Sequence, residues 1–497
     1  MKPLSRIVIV GGGTSGWLAA AMLSHHLRRE LCEIELIESE EIGTIGVGES
    51  TVPPFVGLIQ RLGIDEREFI EATDATYKLG IQFVGWHRHA DTYFHPFGVI
   101  GQPIAGHDFY QCWLRARSLG DSSALSEFSP CSVMAESGRF FPPAQVPNTP
   151  IGGANYALHV DATLAARFLR NYAQTRGVVR SEGRVTIAKQ LENGFIGSVL
   201  LSDGREVRGD FFVDCTGFKS LLLGGALGVD HVDWGRYLLC DRAVAARSEV
   251  RGDLLPYTRA TAQVAGWSWR IPLQQRTGNG YVYSSHFCSD ASAKSTLMRS
   301  LDGPLADEPR VIPFTTGHRR VLWKGNCLSL GLAAGFIEPL EATSIHLIAR
   351  GIDFFLRYFP DSNCDAALAR EYNRRMLGDF EEVRDFVLLH YCATAREDSP
   401  FWRACREIEL PDSLRERVEL FHRHGALREG TDELFRSASW QSVFEGMGIR
   451  PSHYCPRVEN VDATQIAASL RTAKTAIRGM VAHLPTHDEF LRARAGH

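Results

Sequence analysis

The pattern of apolar and polar positions is clearest at the amino end. Residues 6–38 run RIVIV, GGGTSG, WLAAAMLSHHL and IELIE: an apolar strand, a glycine turn, apolar residues at helical spacing, and a second strand. This predicts one βαβ unit. Two short helices are expected over 51–73. The stretch 91–156 has no clear period but many prolines, glycines and aromatics, and reads as loop-rich. DATLAARFLRNYA restores helical spacing, with Asp161 placed as its N-cap. In GSVLLSDGREVRGDFFVDCTG a Ser-Asp-Gly turn separates two alternating runs, predicting a hairpin and then a strand that leads to Thr216 and Gly217. A strand pair is expected over 265–284 with Gly278, Asn279 and Gly280 at its turn. CLSLGLAAG reads as a strand entering a turn, and PLEATSIHLIARGIDFFL, from Pro339, as a helix. Beyond about residue 361 the pattern becomes helices with charged faces and stays so.

The glycine turn carries the first chemical signal. Gly11-x-Gly13-x-x-Gly16 follows a strand directly and opens a helix, and Glu38 closes the next strand 22 residues after Gly16. Glycines let the backbone turn tightly and approach a pyrophosphate, the helix N-terminus faces its negative charge, and the acid can accept ribose hydroxyls. A bound dinucleotide is expected, with Thr14 and Ser15 in the same turn. The competing reading is a glycine-rich turn that packs tightly and binds nothing. Only one such fingerprint occurs, and the chain continues to a meander ending DCTG and a strand ending GLAAG, so FAD is favoured over NAD. Without a second fingerprint for NAD(P)H, reduced flavin would come from a separate reductase.

Composition removes several function classes. The 497 residues are 44% hydrophobic and 23% charged, as in a soluble globular protein with a sizeable core. Net charge is −4 with scattered Lys and Arg, which leaves no footprint for nucleic acid. Eleven cysteines, without a C-x-x-C pair, and a start that runs straight into a strand read as cytoplasmic. No apolar run approaches the roughly 18 residues of a membrane span. His87/His89 and His422/His424 lack a nearby Cys or carboxylate at ligand spacing, so no metal is expected.

Several segments together are more specific than any one. GGGTSGWLAA, GVGESTVP from Gly46, YKLGIQF from Tyr77, YFHPFG from Tyr93, GWSWRIPL from Gly266, GNGYVYSS from Gly278 and GFIEPLEATSI from Gly335 stand in the order found in the flavin-dependent tryptophan halogenases, and the chain resembles that family to the WQSVFEGMGIRPSHYCP segment near Trp440. The resemblance implies an α/β, FAD-binding, flavoprotein-monooxygenase-like fold. Its expected organisation is a FAD-binding module over 1–360, with substrate-binding insertions at about 91–156 and 236–310, and a helical substrate-covering portion over 361–497. Gly48, Glu49 and Gly335 join the expected cofactor site.

In the family, reduced FAD and oxygen give a flavin hydroperoxide, halide attacks its distal oxygen, and hypohalous acid travels to an aromatic substrate. Lys78 matches the lysine that receives the oxidant; an ammonium can hydrogen-bond and polarise it, or form a haloamine once deprotonated. Glu341 matches the glutamate that orients the oxidant and takes the arenium proton. In the predicted helix it would also be favoured by the helix dipole alone. Thr343 and Ser344 match the halide site, which is built from backbone amides. Ser344 stands where tryptophan-specific members have glycine, and Ala342 where they have serine. His95, Phe97 and Trp440 match the substrate pocket. Trp267 and Trp269, on alternate positions of a strand, would present both rings to one face and match a motif that keeps substrate from flavin; packing beneath a sheet is the plainer alternative. FHRHGALREGTDELFRSASW, residues 421–440, lacks the tyrosine pair that grips free tryptophan.

The sequence therefore predicts a halogenase acting on an indole-like or other electron-rich aromatic with chloride or bromide, in a chain that could form a homodimer. Two further readings are a flavin monooxygenase that hydroxylates an aromatic and a non-catalytic flavin-binding protein.

Overall fold

The computed structural model describes residues 2–41, 48–428, 430 and 432–495. The chain forms two units that interleave along the sequence: Met1–Asp74, Val160–Asp241 and Pro313–Arg384 make the first, and Ala75–His159, Arg242–Ile312 and Asp385–His497 the second. The last change of unit falls inside the helix Ala366–Cys392.

In the first unit a six-stranded sheet runs in the order Trp323–Lys324, Cys327–Ser329, Phe211–Asp214, Arg6–Val10, Glu33–Glu38, Val179–Glu182. Every neighbour is parallel except the short hairpin between the first two. The expected βαβ unit is present, with the helix Thr14–His26 between its strands. That helix is apolar all round because it packs against Ala162–Thr175 on one side and Ser344–Arg357 on another. Asp161 caps its helix, accepting from the amides of Thr163 and Leu164, and Ile196–Leu201 pairs with Glu206–Arg208 as the predicted hairpin. The core beneath the sheet includes Val8, Val10, Ile37, Phe212 and Leu223.

A seven-stranded sheet organises the second unit, in the order Arg310–Pro313, Arg242–Ser248, Thr277–Tyr283, Gly266–Pro272, Thr258–Gln263, Gly80–Val84, Thr92–Pro96. Three expectations change here and in the first unit. The stretch 91–156 is more regular than expected: Asp108 and Ser129 cap helices Phe109–Ser118 and Pro130–Glu136, too short and too aromatic to show a period. Gly278, Asn279 and Gly280 lie inside the strand Thr277–Tyr283, not at its turn; Gly280 is needed because a Cβ there would come within 2.0 Å of the Trp269 ring. The helix expected from Pro339 starts only at Ser344. Pro339–Glu341 is a separate 3₁₀ turn, and Ala342, at φ 57°, breaks the two apart. The carboxyl-terminal helices appear as expected, from Pro400–Arg406 to His487–Ala495. Among the described residues no helix is long and apolar enough to cross a membrane, and no group of three His, Cys, Asp or Glu could hold a metal ion.

Candidate functional site

At the carboxyl edge of the six-stranded sheet, parallel strands end beside one another, which is where open α/β sheets take their ligands. Gly11, at φ +110°, turns away from Arg6–Val10 and its amide donates to the Ile37 carbonyl at 2.8 Å. A Cβ on Gly11 would lie 2.2 Å from the Cys215 carbonyl, and one on Gly16 would lie 1.8 Å from the Gly11 carbonyl. Protein packing alone therefore demands these two glycines. Gly13 is different, since a Cβ there would meet nothing within 4 Å. It stands as N-cap of the 13-residue helix Thr14–His26, whose first turn has no side-chain cap. Open amides, a helix dipole and a bare backbone are what a pyrophosphate requires, so the residues present fit FAD.

The groups around this turn are charged and constrained. Glu38 accepts from Arg180 Nε at 2.5 Å and from the Trp17 indole at 3.0 Å, with Arg170 at 3.6 Å. Its carboxylate is thus fixed before any ribose hydroxyl arrives. Thr14 Oγ1 donates to Glu49 Oε1 at 3.5 Å. Loss of solvent pushes the Glu49 carboxyl up to about 7; the Thr14 hydrogen bond opposes the rise and the Asp161 charge adds to it. Ser15 Oγ donates to the Cys215 sulfur at 3.4 Å. Gly48 begins the strand Gly48–Ser50, whereas Gly46 and Val47 of the same segment lie outside the described residues. Close packing accounts for Gly335, where a Cβ would stand 2.5 Å from the Gly317 carbonyl. Glu341 is 1% exposed in its 3₁₀ turn. Thr343 N-caps Ser344–Arg357 without a side-chain bond, leaving first-turn amides uncapped.

Within the second unit, Lys78 is fully buried at the end of the strand Thr76–Lys78. Its Nζ stands 5.0 Å from the centroid of the Phe97 ring. From there aromatic contacts continue: Phe97 to His95 at 6.3 Å, His95 to Phe386 at 5.4 Å, and Phe386 to Trp440 at 4.8 Å between ring centroids. Phe435 stacks on Phe386 at 3.7 Å. Across the strand pair from Thr76, His159 is buried, with Nδ1 3.0 Å from Thr76 Oγ1 and Nε2 2.9 Å from Thr258 Oγ1. Burial first, then the Lys78 charge, hold this imidazole well below its ordinary pKa. Trp267 and Trp269 present their rings 6.1 Å apart on one face, while the Ser268 hydroxyl accepts from Gln263 on the other. Trp267 also packs 6.3 Å from Trp86. Trp86 and Trp402 donate to the carbonyls of Ala260 and Gln263; the buried indole N–H groups of Trp269 and Trp440 have no such partner among the described residues.

Comparison with known proteins identifies the family. The Tryptophan halogenase family profile matches residues 6–463. The chain belongs to the tryptophan halogenase family. The flavin-dependent halogenase Xcc4156 of Xanthomonas campestris is 44% identical and superposes with a TM-score of 0.95 over 99% of each chain. BrvH, a flavin-dependent halogenase of Brevundimonas sp. BAL3, is 41% identical with the same TM-score and coverage. Tryptophan 6-halogenase ThaL of Streptomyces albogriseolus is 32% identical over 99% of both chains. This halogenase is therefore a flavin-dependent oxidoreductase that uses a flavin and a halide, and its mixed α/β fold with a helical carboxyl-terminal region is that of its structural neighbours.

Sequence reasoning missed several neighbours of these candidate sites. Phe386 and Phe435 link His95 to Trp440, yet each occurs in a charged helical or loop segment with no motif around it. Glu338, fully buried three residues before Glu341, was overlooked in GFIEPLEATSI although two carboxylates flank one proline turn. Asp214 is the fourth. It accepts from Thr216 Oγ1 at 2.6 Å and from the amides of Leu222 and Leu223 at 2.8 and 2.9 Å, and so anchors the loop that carries Cys215 against Gly11. The DCTG ending of its strand was the available signal.

Proposed function

We propose that the protein halogenates an indole-like or other electron-rich aromatic, using FADH2 supplied by a separate NAD(P)H flavin reductase, O2, and chloride or bromide. The observation that carries this reading is Lys78: a lysine with no exposed surface, its ammonium over Phe97, at the head of an aromatic run to Trp440. Full burial is rare for a lysine and requires paired surroundings. When bound, reduced FAD supplies the activation of O2 that oxidises halide to hypohalous acid.

The chain's own residues divide the remaining work. Gly11, Gly13 and Gly16, with the amides of Thr14 and Ser15, hold the pyrophosphate, and Glu38 and Glu49 take FAD hydroxyls. Uncapped amides at Thr343 and Ser344 hold the halide. The Trp267 and Trp269 rings wall the substrate away from the flavin, so that only a small oxidant passes. Lys78 receives that oxidant and presents its halogen to the ring. Glu341, held in its strained turn, removes the proton from the ring carbon once halogen has added. His95, Phe97 and Trp440 sandwich the flat substrate, and the unpartnered Trp440 N–H offers one hydrogen bond to a polar atom on it. ThaL is named for tryptophan; here, the absence of any tyrosine over 421–440 favours a substrate without an amino-acid head group.

The test combines the protein with a flavin reductase, NADH, FAD and either halide against a panel of indoles and phenols, reading halogen isotope patterns by mass spectrometry. Halogenated product is expected from the native protein. Lys78→Ala should lose it by about a hundredfold or more while binding FAD and consuming O2 as before. Undiminished halogenation by that variant would remove Lys78 from the mechanism, and hydroxylated products alone across the panel would assign a monooxygenase.

A further inference from the structure

The strand that carries Lys78 is gripped from its other face. Successive side chains on a strand point to opposite sides, so Tyr77 faces away from Lys78. Its ring stacks on Phe140 with centroids 4.0 Å apart, and meets Phe490 and His487 edge-on at 5.5 and 6.0 Å. The Tyr77 amide donates to His487 Nε2 at 3.1 Å, and His487 Nδ1 donates to the Leu254 carbonyl at 2.7 Å. A ring nitrogen that accepts from an amide carries no proton, so these bonds define a neutral imidazole with its hydrogen on Nδ1. Arg494, two turns further along the same helix, donates to the Tyr77 hydroxyl. The helix itself is tied down at its first residue, where the His487 amide donates to the Gly138 carbonyl at 2.9 Å.

One helix, His487–Ala495, thus holds the residue preceding Lys78 by its amide, its ring and its hydroxyl, although 410 positions separate Tyr77 from His487. None of these contacts lies on the Lys78 face. We propose that this carboxyl-terminal helix is a clamp that positions Lys78, with His487 as its principal positioning residue and Arg494 and Phe490 as supports. This rests on reading Lys78 as the group that receives the oxidant. A lysine that must present halogen to one ring carbon needs its backbone fixed, and a displacement of about 1 Å in such a site costs about a hundredfold in rate. Thr76 is fixed as well, donating to the Pro272 carbonyl at 2.6 Å, so the clamp acts on a strand that is already immobilised at its other end.

The experiment uses the full chain with two readouts. An amine-directed acylating reagent, followed by peptide mass spectrometry, measures whether Lys78 is shielded; steady-state halogenation measures whether it is placed. His487→Ala should expose Lys78 to labelling at a rate about fivefold or more above native, and lower halogenation kcat by about ten- to a hundredfold with KM within about twofold and O2 consumption unchanged. His487→Gln, whose amide both accepts and donates, should recover most of both. Arg494→Met removes the hydroxyl grip and the guanidinium over the Phe490 ring but leaves both His487 bonds; it should shift both readouts in the same direction by less, which decides the matter if His487→Ala does not fold. Native labelling together with native kcat in a folded His487→Ala or Arg494→Met protein overturns the clamp. Failure of the lysine's own role is separate: halogenation surviving in Lys78→Ala refutes that role, and the labelling comparison still stands or falls by itself.

Discussion

Glycine positions separate two causes that a motif cannot. Gly11 and Gly16 are required by backbone contacts at 2.2 and 1.8 Å, whereas Gly13 faces open space. Gly13→Ala should therefore fold with a Tm within about 2 °C of native yet bind FAD about tenfold or more weakly, because the methyl group would stand where the pyrophosphate must approach. Flavin fluorescence titration beside a thermal melt checks both halves; unchanged affinity would mean that the turn does not cradle the phosphates. The opposite pattern is expected at Gly280. There a methyl group would collide with the Trp269 ring, so Gly280→Ala should cost about 1–3 kcal/mol of stability by overpacking without touching the flavin turn, measured by urea unfolding.

At the scale of elements, what could be read from the sequence was what is local. The βαβ unit, the Asp161 cap and the Ile196–Leu201 hairpin each rest on a period or a turn within a few residues, and all are present. Where tertiary contacts decide, the reading failed. Gly-Asn-Gly looked like a turn because glycine commonly marks one, but Gly280 is glycine to admit a tryptophan ring from the neighbouring strand. The apolar spacing after Pro339 looked like one helix because the left-handed residue that divides it is an alanine, for which no sequence rule predicts φ 57°. Most candidate site residues could be named, but the Phe386 and Phe435 bridge and the His487 contact join segments hundreds of residues apart. The broken helix also makes a prediction. Ala342 bears the cost of an L-residue in the left-handed region, so Ala342→Gly should raise stability by about 0.5–1 kcal/mol. The same change should loosen the turn holding Glu341 and lower halogenation severalfold. A loss of stability in that variant would show instead that the Ala342 methyl packs productively.

For the whole molecule, three histidines kept neutral by burial set the response to acid. Burial lowers His487 to about 4 and His346 to about 3, and holds His159 well below its ordinary value. Each native-state pKa lies below that of the unfolded chain, 6.5, so between the two the unfolded state binds more protons. Stability is then full above pH 6.5 and is lost as pH falls towards 4, at about 1.4 kcal/mol per unit for each group; His487 alone accounts for about 3 kcal/mol across its window. Glu49 works in the other sense. Its carboxyl, raised to about 7, makes the native state the better proton binder between 4.5 and 7, so its contribution is present below 4.5 and lost as pH rises through 7. It offsets part of that loss, as do the raised carboxyls of Glu136, Asp353 and Glu445, while His25, His231 and His318, also lowered by burial, add to it. Urea unfolding at pH 7.5, 6.5, 5.5 and 4.5 should therefore show falling stability below 6.5, with His487→Gln giving a shallower slope because it removes one proton-binding step from the unfolded chain. A native slope in His487→Gln would mean that His487 takes up its proton as readily in the folded protein as in the unfolded chain, which its bond from the Tyr77 amide does not permit.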